Sequence, residues 1–123
     1  MKVAIPLRGE RVAPRVAFAE EVLIVTLKGG REIEREVLEV SHLHPSQLPA
    51  LLASKGVTKL IAGGVDLLLQ RIFLAHRIEV IWGVIGRADE VLAFYLRYGI
   101  PLGMGPCPPR GRRRRRRGSF PGP

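Results

Sequence analysis

Apolar positions in this chain gather into short unbroken runs, and each run stops at a turn residue. The first six residues, MKVAIP, stop at Pro6, and the run VTKLIA over residues 57–62 stops at Gly63-Gly64. A run of about 4–8 apolar residues closed by a turn signal predicts a strand buried on both faces, as in a sheet covered by helices. Asp66 then stands at a helix N-cap position before the apolar stretch 67–75. Strand, Gly-Gly turn and capped helix together form the kind of junction where open α/β sheets bind ligands, at the carboxyl end of a strand.

The remaining pattern supplies the other elements. Residues 7–14 read as a turn-rich loop around Gly9 and Pro14, and residues 19–27, centred on VLIVTL, as a second strand. Lys28-Gly29-Gly30 makes a tight turn into a third strand over residues 31–40, so strands two and three form an antiparallel hairpin. The charges at Glu32, Glu34 and Glu36 alternate, which predicts one wet face near a sheet edge. Ser46 is positioned to cap a helix over residues 47–55, and Gly56 stops it. A fourth strand at 58–62, a helix from Leu67 to about His76, a fifth strand at 79–82 and a helix over 88–98 ended by Gly99 complete the string βββαβαβα. Strands four and five are each reached through a helix, so right-handed crossovers place them parallel to strand one. The predicted fold class is α/β, a mixed five-stranded sheet flanked by helices.

Composition narrows the class. The 123 residues are 46% apolar, enough for one domain with a real core. No apolar run reaches the ~18 residues of a membrane span, and no signal-peptide pattern opens the chain, so a cytoplasmic protein with no membrane partner is expected. The single cysteine, Cys107, excludes an intrachain disulfide. Charge is unevenly placed. Seven of the twenty basic residues lie within residues 110–117, which leaves thirteen basic against eleven acidic residues elsewhere. The expected organisation is a near-neutral domain over residues 1–100 and a Gly/Pro/Arg-rich, disordered basic tail over residues 101–123.

Several segments together resemble the dinitrogenase iron–molybdenum cofactor biosynthesis family, of the NifX/NifB C-terminal type. They are MKVAIP at the start, VAPRVAFAEEVLIV, the hairpin KGGREIEREVLEV, VTKLIAGGV, and the closing GVIGRADEVLAFYLRYG. The resemblance covers about residues 1–98 and implies a ribonuclease H-like fold. It also implies a non-catalytic protein that binds or carries the iron–molybdenum cofactor or an iron–sulfur precursor cluster, with cluster donor and acceptor proteins as partners. The chain departs from the family pattern at Ala13-Pro14-Arg15, where histidine often follows Ser-Pro. It departs again in its shortened loop Ser41-His42-Leu43-His44 and at Asp66, which follows the Gly63-Gly64-Val65 turn.

Candidate chemistry follows from residue type. His42 and His44 are the metal candidates, because residues i and i+2 of an extended segment point to one side and neutral imidazole binds transition metals. Gly63 and Gly64, before a helix, are candidates for presenting backbone N–H groups to an anionic group or cluster sulfide, or simply for permitting a tight bend; Arg15 in the facing loop is the candidate counter-charge. His76, near a helix end, is expected to bond the last carbonyls. The first strand carries no acidic residue, and no nucleophile motif or phosphate-binding loop is present, so no catalytic residues and no enzyme activity are expected. Arg112, Arg113, Arg114, Arg115, Arg116 and Arg117 suit sequence-independent, salt-dependent contact with nucleic-acid backbones. Two alternatives therefore stand beside the carrier: a nucleic-acid-associated protein acting through its tail, and an interaction domain without a ligand.

Overall fold

The apolar runs become strands, and all of them join one sheet. In the computed structural model, which describes residues 1–99, β1 (Lys2–Arg8) lies at the centre of the sheet. It pairs antiparallel with β3 (Glu21–Lys28), which pairs antiparallel with β4 (Arg31–Glu39). On its other side β1 runs parallel to β5 (Val57–Ile61), which runs parallel to β6 (Glu79–Ile81). The order is β4-β3-β1-β5-β6, mixed as the crossovers require. Cys107 and the basic tail, including Arg112–Arg117, lie outside the described residues.

The sheet has six strands, not five. β2 (Arg11–Val12) pairs antiparallel with the end of β1, with Leu7 opposite Val12 and Arg8 opposite Arg11. Two residues carry no readable period, which is why a plain loop was expected there. β1 also continues through Pro6 to Arg8. Met1 and Leu27 exchange backbone bonds in both directions, so alternation along the pair turns the nitrogen of Pro6 away from β3. The β5 ladder has already ended at Ala4, and the Pro6 carbonyl accepts the Ala13 N–H at 2.9 Å. A missing donor at Pro6 therefore costs the sheet nothing.

Alternation divides the core into two layers. Ala4, Val22, Ile24 and Leu60 face α1 (Leu48–Ser54) and α2 (Leu67–Ala75). Val3, Ile5, Leu23 and Val25 face α3 (Ala88–Tyr98), which buries Ala88, Val91 and Leu92. Each large side chain buried completely, such as Phe73 or Ile5, contributes about 1.5–3 kcal/mol. One helix does not span the second face. β4 is consequently wet on both sides, with Ile33 and Val37 both exposed, where one wet face was expected.

Helix ends follow their capping chemistry. The Asp66 carboxylate accepts the Leu69 N–H at 2.8 Å. At the other end of α2 the Ile78 N–H reaches the Phe73 carbonyl and the Arg77 N–H reaches the Leu74 carbonyl, while Arg77 takes φ 64°. This is a Schellman closure with arginine where glycine is usual, sealed by contact within the buried pair Phe73 and Ile78. His76 bonds the Ile72 carbonyl through Nδ1 at 3.0 Å. The start of α1 differs from expectation. A 3-10 turn, Pro45–Gln47, precedes Leu48, and its cap is His44, not Ser46. The His44 ring nitrogen accepts the Ser46 N–H while Gln47 reaches back to the His44 N–H, a capping box built with imidazole.

Candidate functional site

β1 and β5 run parallel, so both finish at one end of the sheet, and β3 begins there. The chain leaves β2 through Ala13-Pro14-Arg15 and meets the turn after β5. The Gly64 N–H donates to the Pro14 carbonyl at 2.6 Å, and the Val16 N–H donates to the Gly64 carbonyl at 2.9 Å. Arg15 and Gly64 thereby form a parallel bridge. A Cβ on Gly63 would stand 2.5 Å from the Ala13 oxygen, and one on Gly64 would stand 3.0 Å from the Pro14 oxygen. Neither glycine has positive φ, so close approach of two backbones is what demands them. The Gly63 carbonyl also accepts the Gly83 N–H at 2.9 Å, tying the stretch after β6 to the same joint. The structure thus brings Gly63, Gly64 and Arg15 together, and it commits the Gly64 N–H to protein.

His42 and His44 leave the same end of the sheet from the far side, since Glu39 of β4 lies opposite Glu21 and Glu21 lies opposite Leu7. β4 stands three strand positions from β5, roughly 14 Å across a sheet. The two histidines share a loop but not a state. Nδ1 of His42 lies 2.9 Å from Oε1 of Glu39. The Ser41 hydroxyl and then His42 hold the Glu39 carboxyl below the usual carboxylate range, so at neutral pH it is ionised and only accepts. That contact makes Nδ1 of His42 the donor and leaves Nε2 without a protein partner among the described residues, the carboxylate–imidazole arrangement seen behind metal ligands. Nδ1 of His44 accepts the Ser46 N–H at 3.2 Å, so its proton sits on Nε2 and its outward nitrogen is a donor. Coordination by His44 through Nε2 requires the other tautomer and the loss of the cap. Among the described residues, no group of three or more His, Cys, Asp or Glu is placed to hold a metal ion.

Pairing also assembles a row the linear sequence conceals. Arg8 lies opposite Arg11, and Arg11 bridges antiparallel to Arg87. Like charges placed directly across a ladder repel. Glu10 relieves only one of them: its carboxylate meets Arg87 at 2.7 Å and holds that guanidinium above its usual range. Arg8, Arg11 and Arg15 are exposed and, among the described residues, have no carboxylate partner. Glu39 as the orienting group for His42 was within reach of a three-residue spacing; the arginine row depends on the unforeseen β2.

A hollow of about 580 Å³ lies at the opposite end of the sheet, bordered by Met1, Leu27, Gly30, Lys59, Tyr95 and Gly99. It contains none of the predicted site residues.

No protein-family model and no curated protein matches the sequence. Solved structures match the fold. PH0822 superposes with a TM-score of 0.75 at 24% identity, over 79% of this chain and 89% of its own. A candidate dinitrogenase, MJ0327 of Methanocaldococcus jannaschii, superposes with a TM-score of 0.66 at 17% identity, over 80% and 90%. A candidate NifB protein of Thermotoga, TM1290, described as a member of the DUF35 family, superposes with a TM-score of 0.64 at 26% identity, over 80% and 89%. The chain is thus similar in fold, across nearly all its described residues, to small proteins of the dinitrogenase and NifB-like kind.

Proposed function

We propose that this protein is a non-catalytic carrier whose cargo is a metal cluster, an iron–molybdenum-type cofactor or an iron–sulfur precursor, passed between donor and acceptor proteins. The observation that carries this reading is the fold shared with NifB-like and dinitrogenase-type proteins. The sheet is read as ribonuclease H-like: setting β2 aside, a three-strand antiparallel half is followed by two parallel strands reached through helices. The nucleolytic chemistry of such folds needs clustered carboxylates, and β1 offers none, its residues being KVAIPLR.

Local chemistry agrees with cargo that is handed on. His42, set by Glu39, supplies one ready imidazole, and His44 supplies a second only by surrendering its cap. Two ligands on an exposed loop leave a coordination shell incomplete, so the cluster keeps its own sulfides and takes its other ligands from a partner. Arg8, Arg11 and Arg15 add positive charge at the sheet end where an anionic cluster approaches.

The test is anaerobic reconstitution with iron and sulfide, followed by metal analysis and an absorption spectrum, on wild type, His42→Ala and the His42→Ala/His44→Ala double variant. Wild type is expected to retain cluster, the single variant to lose most of it and the double variant nearly all. Equal content in the three proteins removes these histidines from the site. No cluster in wild type overturns the carrier reading.

A further inference from the structure

The nine residues of α2, LLLQRIFLA, are apolar at seven positions and around the whole helix circumference. A helix of that kind is normally covered on every side. Here only Leu69 and Phe73 are buried; Leu67 is 61% exposed, Leu68 69% and Leu74 69%. Beside this uncovered stripe β6 ends the sheet, and among the described residues no strand lies on its outer side. Trp82, the only tryptophan of the chain, follows β6 and is 43% exposed. A groove of about 280 Å³ runs between Leu67 and Leu74 of α2 and Ile78, Val80 and Trp82.

Backbone polarity fixes how a further strand would add. The Ile81 carbonyl accepts the Ala62 N–H at 2.8 Å, so the polar groups of Ile81 face β5. Alternation turns the N–H and C=O of Val80 outward. An antiparallel strand related by a two-fold axis at Val80 would exchange both bonds with its own Val80. The same register sets Trp82 of each copy opposite Ile78 of the other. Residues 78, 80 and 82 share one face of the strand, the face that carries α2 and the groove. The knob, Trp82, and one wall of the hole, Ile78 and Val80, therefore lie in one five-residue stretch centred on the two-fold axis, with Leu67 and Leu74 of α2 as the other wall, an arrangement compatible with an isologous interface.

We propose that this edge docks a second copy of the chain, β6 against β6, with each Trp82 indole filling the partner's groove beside Leu74 and Arg71. The two sheets become one continuous sheet, and the exposed leucines of the two α2 helices are drawn together. The inference stands apart from the carrier reading and uses none of its residues.

The experiment is sedimentation of the full chain across a wide concentration range, with Trp82 emission followed in parallel, at moderate salt so that repulsion between two basic chains is screened. A dimer mass and an emission that moves to shorter wavelength as concentration rises are expected. Leu74→Glu and Trp82→Lys, each checked for native secondary structure, should weaken the dimer by at least about tenfold, while Val37→Glu on the opposite sheet edge should leave it unchanged. A monomer at every concentration, whatever else covers the groove, overturns the proposal. So does a dimer indifferent to Leu74→Glu and Trp82→Lys, or one lost equally with Val37→Glu.

Discussion

β4 and β6 close the two sides of one sheet, and they differ at nearly every position. β4 is nine residues long, and six of them, in REIEREVLE, are charged. Its ion pairs are wet: Glu32 with Arg35 on the same strand, and Glu36 with Lys55 at the end of α1 at 3.0 Å. β6 is three residues long, carries one charge, and buries Val80 and Ile81. Around it stand exposed Trp82, Leu67 and Leu74. A free strand edge templates the addition of further strands unless charge, shortness or cover prevents it. β4 uses charge throughout, whereas β6 relies on shortness and is bordered by apolar surface. The contrast separates an edge that is kept open to water from one that is suited to a partner.

The largest effect should come from the packing that seats the β6 side. Phe73 is fully buried between α2 and the sheet, and Phe73→Ala should cost about 3–5 kcal/mol in chemical denaturation. Val37 on β4 is 51% exposed, and Val37→Ala should cost about 0.5 kcal/mol or less. Comparable losses would mean that β4 is held as firmly as the core, and the contrast between the edges would fail.

A second intervention erases the protection of β4. Glu34→Val, Arg35→Val and Glu36→Val together would make Ile33–Leu38 an unbroken apolar stretch with strong strand propensity on a free edge. Such a stretch is a template for aggregation. Light scattering and size exclusion should show large assemblies in the triple variant at concentrations where wild type shows none. A triple variant as soluble as wild type would leave the charges of β4 without a protective role.

Legibility in the sequence tracked how local each cause was. The Asp66 cap, the Gly99 stop and the 88–98 span of α3 depend on neighbours within a few residues, and they fell where the pattern put them. The parallel sense of β5 and β6 relative to β1 follows from reaching each through a helix. β2 escaped because two residues have no period, and Pro6 misled because its cost depends on which side of the strand its nitrogen faces. His44 displaced Ser46 as cap through a ring nitrogen that residue preferences do not anticipate. The site was less legible than the fold. The sequence marked Gly63-Gly64 as a place where a Cβ is unwelcome but did not reveal that the Pro14 carbonyl fills the space. It showed two histidines and not which of them Glu39 prepares. Arg8, Arg11 and Arg87 became neighbours only through pairing.

The smallest effect is also the most direct reading of the two sides, because their ion pairs respond to opposite ends of the pH scale. On β4, the hydrogen bond from Arg35 holds the Glu32 carboxyl below its usual range. A lowered carboxyl contributes stability above its ordinary value of about 4.3 and loses it as pH falls through the lowered value. The pair is largely solvent-exposed, so its contribution should be about 0.2–1 kcal/mol and should shrink with salt. Beside β6, burial alone would lower the Lys59 ammonium, but Tyr95 and Glu79, the latter at 3.6 Å, outweigh it and raise it. A raised ammonium contributes below its ordinary value of about 10.4 and loses that contribution as pH climbs through the raised value. The stability difference between wild type and Glu32→Gln should therefore fade in acid and persist in alkali, and that for Lys59→Met should fade in strong alkali. The readout is urea denaturation at acid, neutral and alkaline pH. A Glu32→Gln difference that survives acid, or a Lys59→Met difference that survives strong alkali, would show that the side chain acts through packing and not through its charge.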